Sequence, residues 1–220
     1  MHHPSQAPAH AQRFLADRRS CNPTLLTTPA PNAEQLATIL TIASRTPDHG
    51  KLVPYRFITL DHAACVRMGD HVQAAFARDN PDAPEEALRR SRQRFDHAPM
   101  IVAVVCRARP GDPRAPKIPE FEQLMTCGAV CMNLLHGAHA LGFGAIWLTG
   151  WTTYDQRILS ALGLEPGERL SGWIHLGTQA EPREDRERPD LSKIVSPASI
   201  PAVEERPVVE FPSRATAPER

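Results

Sequence analysis

The sequence predicts a layered domain of α/β or α+β class, and three observations carry that expectation. Met100–Cys106 reads MIVAVVC, an unbroken β-branched run that fits the middle of a sheet covered on both faces. The stretch from Glu120 to Leu141 is crowded with small and apolar residues, among them Ala129, Val130, Leu134, Leu135 and Ala138, and polar residues hardly form a face in its middle. A helix apolar nearly all round is buried, so this one is a core helix, a subunit interface, or both. The third observation is the order of elements: two helices, strand, two helices, strand, long helix, strand, helix, strand.

A first helix is expected from about Ala11 to Arg19, after a flexible N-terminal segment, residues 1–12. Residues 21–31 contain Pro23, Pro29 and Pro31 and read as a loop. Asn32 with Gln35 three later is a capping-box pair, and Leu36, Ile39, Leu40 and Ala43 recur at helical spacing as far as about Arg45. TPDHGKLVP, 46–54, is a loop with a breaker at each end. YRFITL, 55–60, reads as a strand buried on both faces, and Asp61 caps a helix over about 62–79. Asn80-Pro81 ends it, and a polar helix rich in Arg and Glu comes next over about 84–95. The proline-rich segment 107–118 is a loop. Gly142 and Gly144 stop the long helix, Ala145–Leu148 is a short strand, and Asp155 to Leu162 is a helix stopped at Gly163. Ser171–Gly177 is the last strand. The charged run after it lacks periodicity, and residues 197–220, with a strand-like fragment at Val208–Phe211, form an extended or disordered arm.

Lys plus Arg and Asp plus Glu both total 25, so no net field favours nucleic acid or an anionic membrane. No apolar run is long enough for a bilayer, and MHHPSQAPAHAQ has no signal-peptide core. Five irregularly spaced cysteines suggest free thiols in a reducing cytoplasm. Neither of the strands at 55–60 and 100–106 leads into a glycine-rich turn, so dinucleotide and P-loop fingerprints are absent. HExxH and paired CxxC motifs are absent too.

Arg18-Arg19-Ser20 places two fork-shaped guanidinium groups beside a hydroxyl, a donor set for a phosphate or a polarised heterocycle oxygen. The competing reading is a solvated helix end whose arginines complement the helix dipole. Cys127 and Cys131, four apart on one helix, offer two thiolates on a face, but core packing is the ordinary fate of such cysteines. RRSRQR, 89–94, comes after Glu85-Glu86 and reads as a solvated helix face. His49 lacks a nucleophile elbow to serve, so a hydrolase is disfavoured.

Four blocks in this order resemble the FMN-dependent nitroreductase superfamily, in particular its compact bacterial NAD(P)H nitroreductase branch: RRS at 18–20, APNAEQLATILTIASRTPDHGKLVPYRF at 30–57, ALGFGAIWLTG at 140–150 and GWIHLGT at 172–178. The resemblance covers about residues 14–196. It implies a single α+β layered domain over 13–196, with a central mixed or antiparallel sheet, flanking helices and a long buried helix. It also implies a homodimer with two FMN sites shared between the subunits. Arg18, Arg19 and Ser20 look like its opening phosphate- and ribityl-binding triplet. Arg45 and His49 look like residues that approach the flavin. Trp147, Leu148 and Thr149 look like the segment beside the isoalloxazine or phosphate. Arg186 first, then Arg188, is the expected basic residue completing the phosphate site, and Gly137–Gly142 is a place for NAD(P)H to pass. Tyr55 stands where relatives often carry Trp, and Leu148 where the compact branch often carries Arg. The activity implied is NAD(P)H-dependent reduction of nitro compounds, quinones or a similar small electrophile, and the alternative is a non-catalytic flavin carrier or sensor. The cofactor brings the redox chemistry, so no catalytic acid, base or nucleophile is expected in the chain, and no metal.

Overall fold

The computed structural model describes residues 9–181 and 184–200. Two compact units are distinguished, one ending at Asp185 and the other beginning at Arg186, whereas the sequence pattern carries the domain to residue 196. The expected fragment Val208–Phe211 lies outside the described residues.

In the first unit the order is α1 (Ala9–Asp17), β1 (Leu26–Thr27), α2 (Ala33–Ala43), β2 (Tyr55–Asp61), α3 (His62–Asp79), α4 (Glu85–Asp96), β3 (Met100–Cys106), α5 (Glu120–Ala140), β4 (Gly144–Leu148), α6 (Gln156–Leu162) and β5 (Arg169–Gln179). The second unit contains the single-turn helix α7 (Leu191–Ile194), capped by the Asp190 side chain, in a run where no periodicity predicts a helix.

The helix starts obey side-chain chemistry. Asn32 accepts from the Gln35 N–H at 2.9 Å and the Gln35 side chain accepts from the Asn32 N–H at 2.9 Å, the reciprocal pair expected from the sequence. Asp61 accepts from the Ala64 N–H at 2.8 Å, and Asp155 caps α6.

The sheet runs β1-β5-β3-β2, with β4 also on β5, and every one of these pairings is antiparallel. β3 is paired along its length on both edges and buried on both faces, as its apolar run requires. Its residues alternate between two layers. Val102, Val104 and Cys106 face α2 and α5, where Ile39, Cys127, Val130, Cys131 and Leu134 complete one core. Ile101, Ala103 and Val105 face α3, α4 and α6, where Val72, Phe95, Ile158 and Trp173 complete the other. The cysteines at 127 and 131 are therefore core residues, both fully buried, and among the described residues no cluster suits a metal ion. Burial pushes the Cys131 thiol up to about 12. No described helix is long and apolar enough to cross a membrane.

Two expectations shift. α1 begins at Ala9, inside the segment expected to be flexible, and ends at Asp17, so Arg18 and Arg19 lie beyond the helix rather than in its last turn. The proline-rich 21–31 loop contains β1, whose two residues pair with Thr178 and Gln179. A two-residue strand has no periodicity to read; its partner alone makes it a strand.

α5 departs from a fully buried helix along one stripe. Phe121 (66% exposed) and Met125 (59% exposed) are open, and Gly128, Ala129, Met132, His136 and His139 continue that side half-buried. This stripe, beside the buried ones, is why the sequence shows no polar face.

Candidate functional site

The RRS segment is anchored through Cys21, the next residue along. The Cys21 N–H donates to the Ala145 carbonyl at 2.9 Å, which ties the segment to the start of β4. Gly144 permits that approach: a Cβ there would stand 2.9 Å from Leu26 Cδ2 and 3.1 Å from Gln179 Cβ. Arg18 and Arg19 then stand at a cavity of about 230 Å³ whose other walls include Leu135, His139, Phe143 and Ala145. The Arg19 Nε donates to the Glu184 carbonyl at 3.4 Å and lies 3.9 Å from the Asp185 carboxylate. His139 stacks on Phe14 with centroids 4.8 Å apart. Burial, then the fields of Arg18 and His139, hold His136 below its ordinary pKa. The cavity thus combines the Arg18 and Arg19 donors with the apolar walls of Leu135, Phe143 and Ala145, and Asp17 and Gln179 also line it. Ser20 is half-buried next to them.

Arg45 and His49 belong to a loop that lies along α5. Asn133 Nδ2 donates to Thr46 Oγ1 at 2.8 Å and to the Arg45 carbonyl at 3.5 Å, and Thr126 Oγ1 donates to the Pro47 carbonyl at 3.2 Å. Asp48 accepts from the Val53 N–H at 2.7 Å, and Gly50 supplies a positive φ of 76° for the turn between them. The His49 Nδ1 meets Glu122 Oε2 at 2.5 Å. The pair borders a second cavity of about 300 Å³, otherwise walled mainly by Pro47, Met125, Thr126 and Ala129. No sequence signal marks Glu122, which is 73 positions from its partner. Arg45 itself is exposed.

Trp147 and Leu148 end β4, and strand alternation separates their side chains. Trp147 turns toward α5 and is 36% exposed, with Nε1 donating to the Ser171 carbonyl at 3.1 Å. The indole lies over Gly172, where a Cβ would sit 2.0 Å from Nε1. Leu148 points the other way and packs against the α3–α4–α6 core, so its side chain is turned from the face that Trp147 occupies. Thr149 is exposed beyond the strand. Arg186 and Arg188 belong to the second unit, where Arg188 Nη1 donates to the Arg186 carbonyl at 2.8 Å.

One helix therefore organises the first unit's candidates. Leu135 and His139 of α5 reach the arginine cavity, and Met125 and Ala129 reach the His49 cavity. The separation of Met125 from Leu135 corresponds to ~15 Å along the axis. The structure brings Arg18, Arg19 and His139 together, and it holds Arg45 and His49 in a separate place on the same helix. The arginines of 89–94 are in part engaged in ion pairs: Arg89 and Arg90 with Glu86, and Arg92 with Asp70 and Asp96.

The sequence pattern of the nitroreductase family matches residues 15–178. The chain belongs to that family. A Haemophilus influenzae protein named "Putative NAD(P)H nitroreductase" is 35% identical over 159 residues, which is 72% of this chain and 84% of the relative. Among solved structures, a nitroreductase-like family protein from Bacillus cereus superposes with a TM-score of 0.70 at 21% identity, covering 87% of this chain and 97% of the other. A nitroreductase with bound FMN from Bacteroides fragilis gives 0.63 at 20% identity, covering 87% and 100%. The nitroreductase-family fold accounts for the antiparallel sheet, the two helical layers and the long α5, all described above.

Proposed function

We propose that this nitroreductase-family protein is an FMN-dependent oxidoreductase that works as a homodimer and uses NAD(P)H to reduce a small electrophile such as a nitro compound or a quinone. The observation that carries the reading is the cavity between Arg18, Arg19 and α5. Its donor set fits FMN: two guanidinium groups suit a dianionic phosphate, and Leu135, Phe143 and Ala145 suit apolar contact. FMN, when bound, supplies the two-electron relay between a nicotinamide donor and an electron-poor acceptor. The chain's own residues hold and orient. Arg18, Arg19 and Ser20 bind the phosphate end. Trp147, fixed by its bond to Ser171, offers an indole face and edge toward α5. The His49–Glu122 pair holds a proton at His49 Nδ1 or Glu122 Oε2 on the rim of an apolar cavity.

The dimer is supported by two features. Each cavity, about 230 and about 300 Å³, lies at or below the ~300 Å³ lower end of small-molecule sites. The apolar stripe of α5 that runs past both is open to solvent at Phe121 and Met125. Pairing two α5 stripes covers that surface and lets the Arg18–Arg19 end of one protomer and the His49 loop of its partner line one site. The test is anaerobic: the purified yellow protein bleaches on adding NADPH or NADH, then recovers its colour with a nitroaromatic or quinone. A yellow protein that no nicotinamide bleaches is a flavin carrier or sensor, and the reductase reading falls.

A further inference from the structure

A second cationic site lies on the proline-rich loop that links β3 to α5. Two adjoining cavities, about 310 and about 220 Å³, are both lined by Arg107 and Arg109, with Arg114 bordering the larger and Arg56 the smaller. Their backbones are built in place. The Arg107 N–H donates to the Pro54 carbonyl at 2.8 Å. Gln123 of α5, a buried amide, accepts from the Arg109 N–H at 2.9 Å and donates to the Arg109 carbonyl at 3.4 Å. Asp112, also buried, accepts from Arg114 Nε at 3.0 Å and Nη2 at 2.8 Å, and that guanidinium holds its carboxyl down at about 2.

Two of the three carboxylates that line the cavities have other work, and the third, Glu165, lines the smaller cavity from an exposed position. Glu168 is bridged by Arg56 at 2.6 and 2.7 Å and also accepts from the Glu165 N–H. Asp112 is committed to Arg114. Among the described residues neither Arg107 nor Arg109 forms an ion pair with a carboxylate. Arg107 gives only its Nε, to the Val53 carbonyl at 3.2 Å. Two guanidinium forks thus stand between two cavities with donors to spare, an arrangement that matches a phosphate or diphosphate with a group extending to either side.

The groove adjoins the His49 loop. Val53 lines it, and its N–H is held by Asp48, the residue before His49; Gln123 is the neighbour of Glu122 on α5. We propose that Arg107 and Arg109, with Arg114 at the rim, bind the phosphates of the dinucleotide electron donor and so hold its nicotinamide end toward the His49 cavity. The assignment rests on the NAD(P)H reductase reading for the donor's identity; the phosphate chemistry stands on the groove alone.

Arg109→Gln is the cleanest perturbation, because that side chain is exposed and no hydrogen bond or ion pair of the guanidinium is broken, while the Gln123 clamp uses only main chain. Flavin reduction by NADPH and NADH is monitored by anaerobic stopped flow for the FMN-loaded wild type, R109Q and R107Q. Losing one charge-assisted contact raises the donor's Kd about tenfold or more, with the limiting reduction rate and the melting temperature unchanged. Inorganic pyrophosphate competes with the donor in the wild type and loses that competition in R109Q. An effect on NADPH alone assigns the groove to the extra phosphate of that donor, and an equal effect on both assigns it to the shared diphosphate; either supports the site. Unchanged Kd and unchanged pyrophosphate competition in both variants overturn it. If no nicotinamide bleaches the wild type, the donor reading fails separately, and calorimetric titration with pyrophosphate decides the groove: binding that weakens in R109Q supports a site for another phosphate ester, and equal or absent binding overturns it.

Discussion

Arg19→Ala separates binding from folding. In the structure the side chain is about a quarter exposed, and its contacts are long: 3.4 Å to the Glu184 carbonyl and 3.9 Å to Asp185, itself mostly exposed. Contacts of that kind contribute ~1 kcal/mol or less. The residue lies past the end of α1, so the substitution removes no helix-dipole contact from a last turn. If Arg19 holds the FMN phosphate as proposed, its charge-assisted bonds are worth roughly 1.5–3 kcal/mol, so FMN affinity falls about ten- to a hundred-fold. Arg18 lines the same cavity and can assume part of the load, which favours the lower figure. The assay is FMN titration of the apo-protein beside a thermal melt, wild type against variant. Saturating FMN restores reductase activity if Arg19 serves binding. Unchanged affinity removes Arg19 from the site. A collapsed apo melt makes it a structural residue, and the weak contacts to Glu184 and Asp185 then account for too little.

Three further outcomes are expected. Gly172→Ala puts a methyl into the Trp147 indole, so stability drops by about 1–3 kcal/mol and the tryptophan emission shifts, read by urea unfolding and fluorescence. His175 is fully buried and desolvation pulls its pKa down to about 3, so the folded chain keeps it neutral while the unfolded chain protonates it below about pH 6.5; stability is whole above that pH and falls by ~1.4 kcal/mol per unit as the pH drops toward 3. Urea unfolding at pH 7 and pH 5 measures the loss, about 2 kcal/mol, and a His175→Gln variant lacks that contribution. Met125→Arg charges the open stripe of α5, so light scattering at micromolar concentration falls from twice the chain mass to one, with FMN released.

The two-layer arrangement was legible because burial writes itself into local pattern. MIVAVVC is apolar at every position since β3 feeds two cores, and Asn32 with Gln35 marks a helix start through bonds three residues apart. β1 was not legible: its two residues are a strand only because Thr178 and Gln179 receive them. The RRS triplet was legible as chemistry, but its setting depends on the Cys21–Ala145 bond and on the space Gly144 leaves. Adjacency in sequence groups Leu148 with Trp147, yet strand alternation sends their side chains to opposite layers. The His49–Glu122 pair and the Arg107–Arg109 groove join residues distant in the chain, and no spacing rule links a proline-rich loop to a buried glutamine fourteen residues on.

The central claim is that the chain carries a flavin which nicotinamide reduces. The most direct measurement is the absorbance of the purified protein under argon during titration with NADPH and then NADH. The expected result is a yellow protein that bleaches with one equivalent of at least one donor and regains its colour on adding a nitroaromatic or quinone. A protein that binds FMN and stays yellow with both donors, while dithionite bleaches it, would contradict that claim.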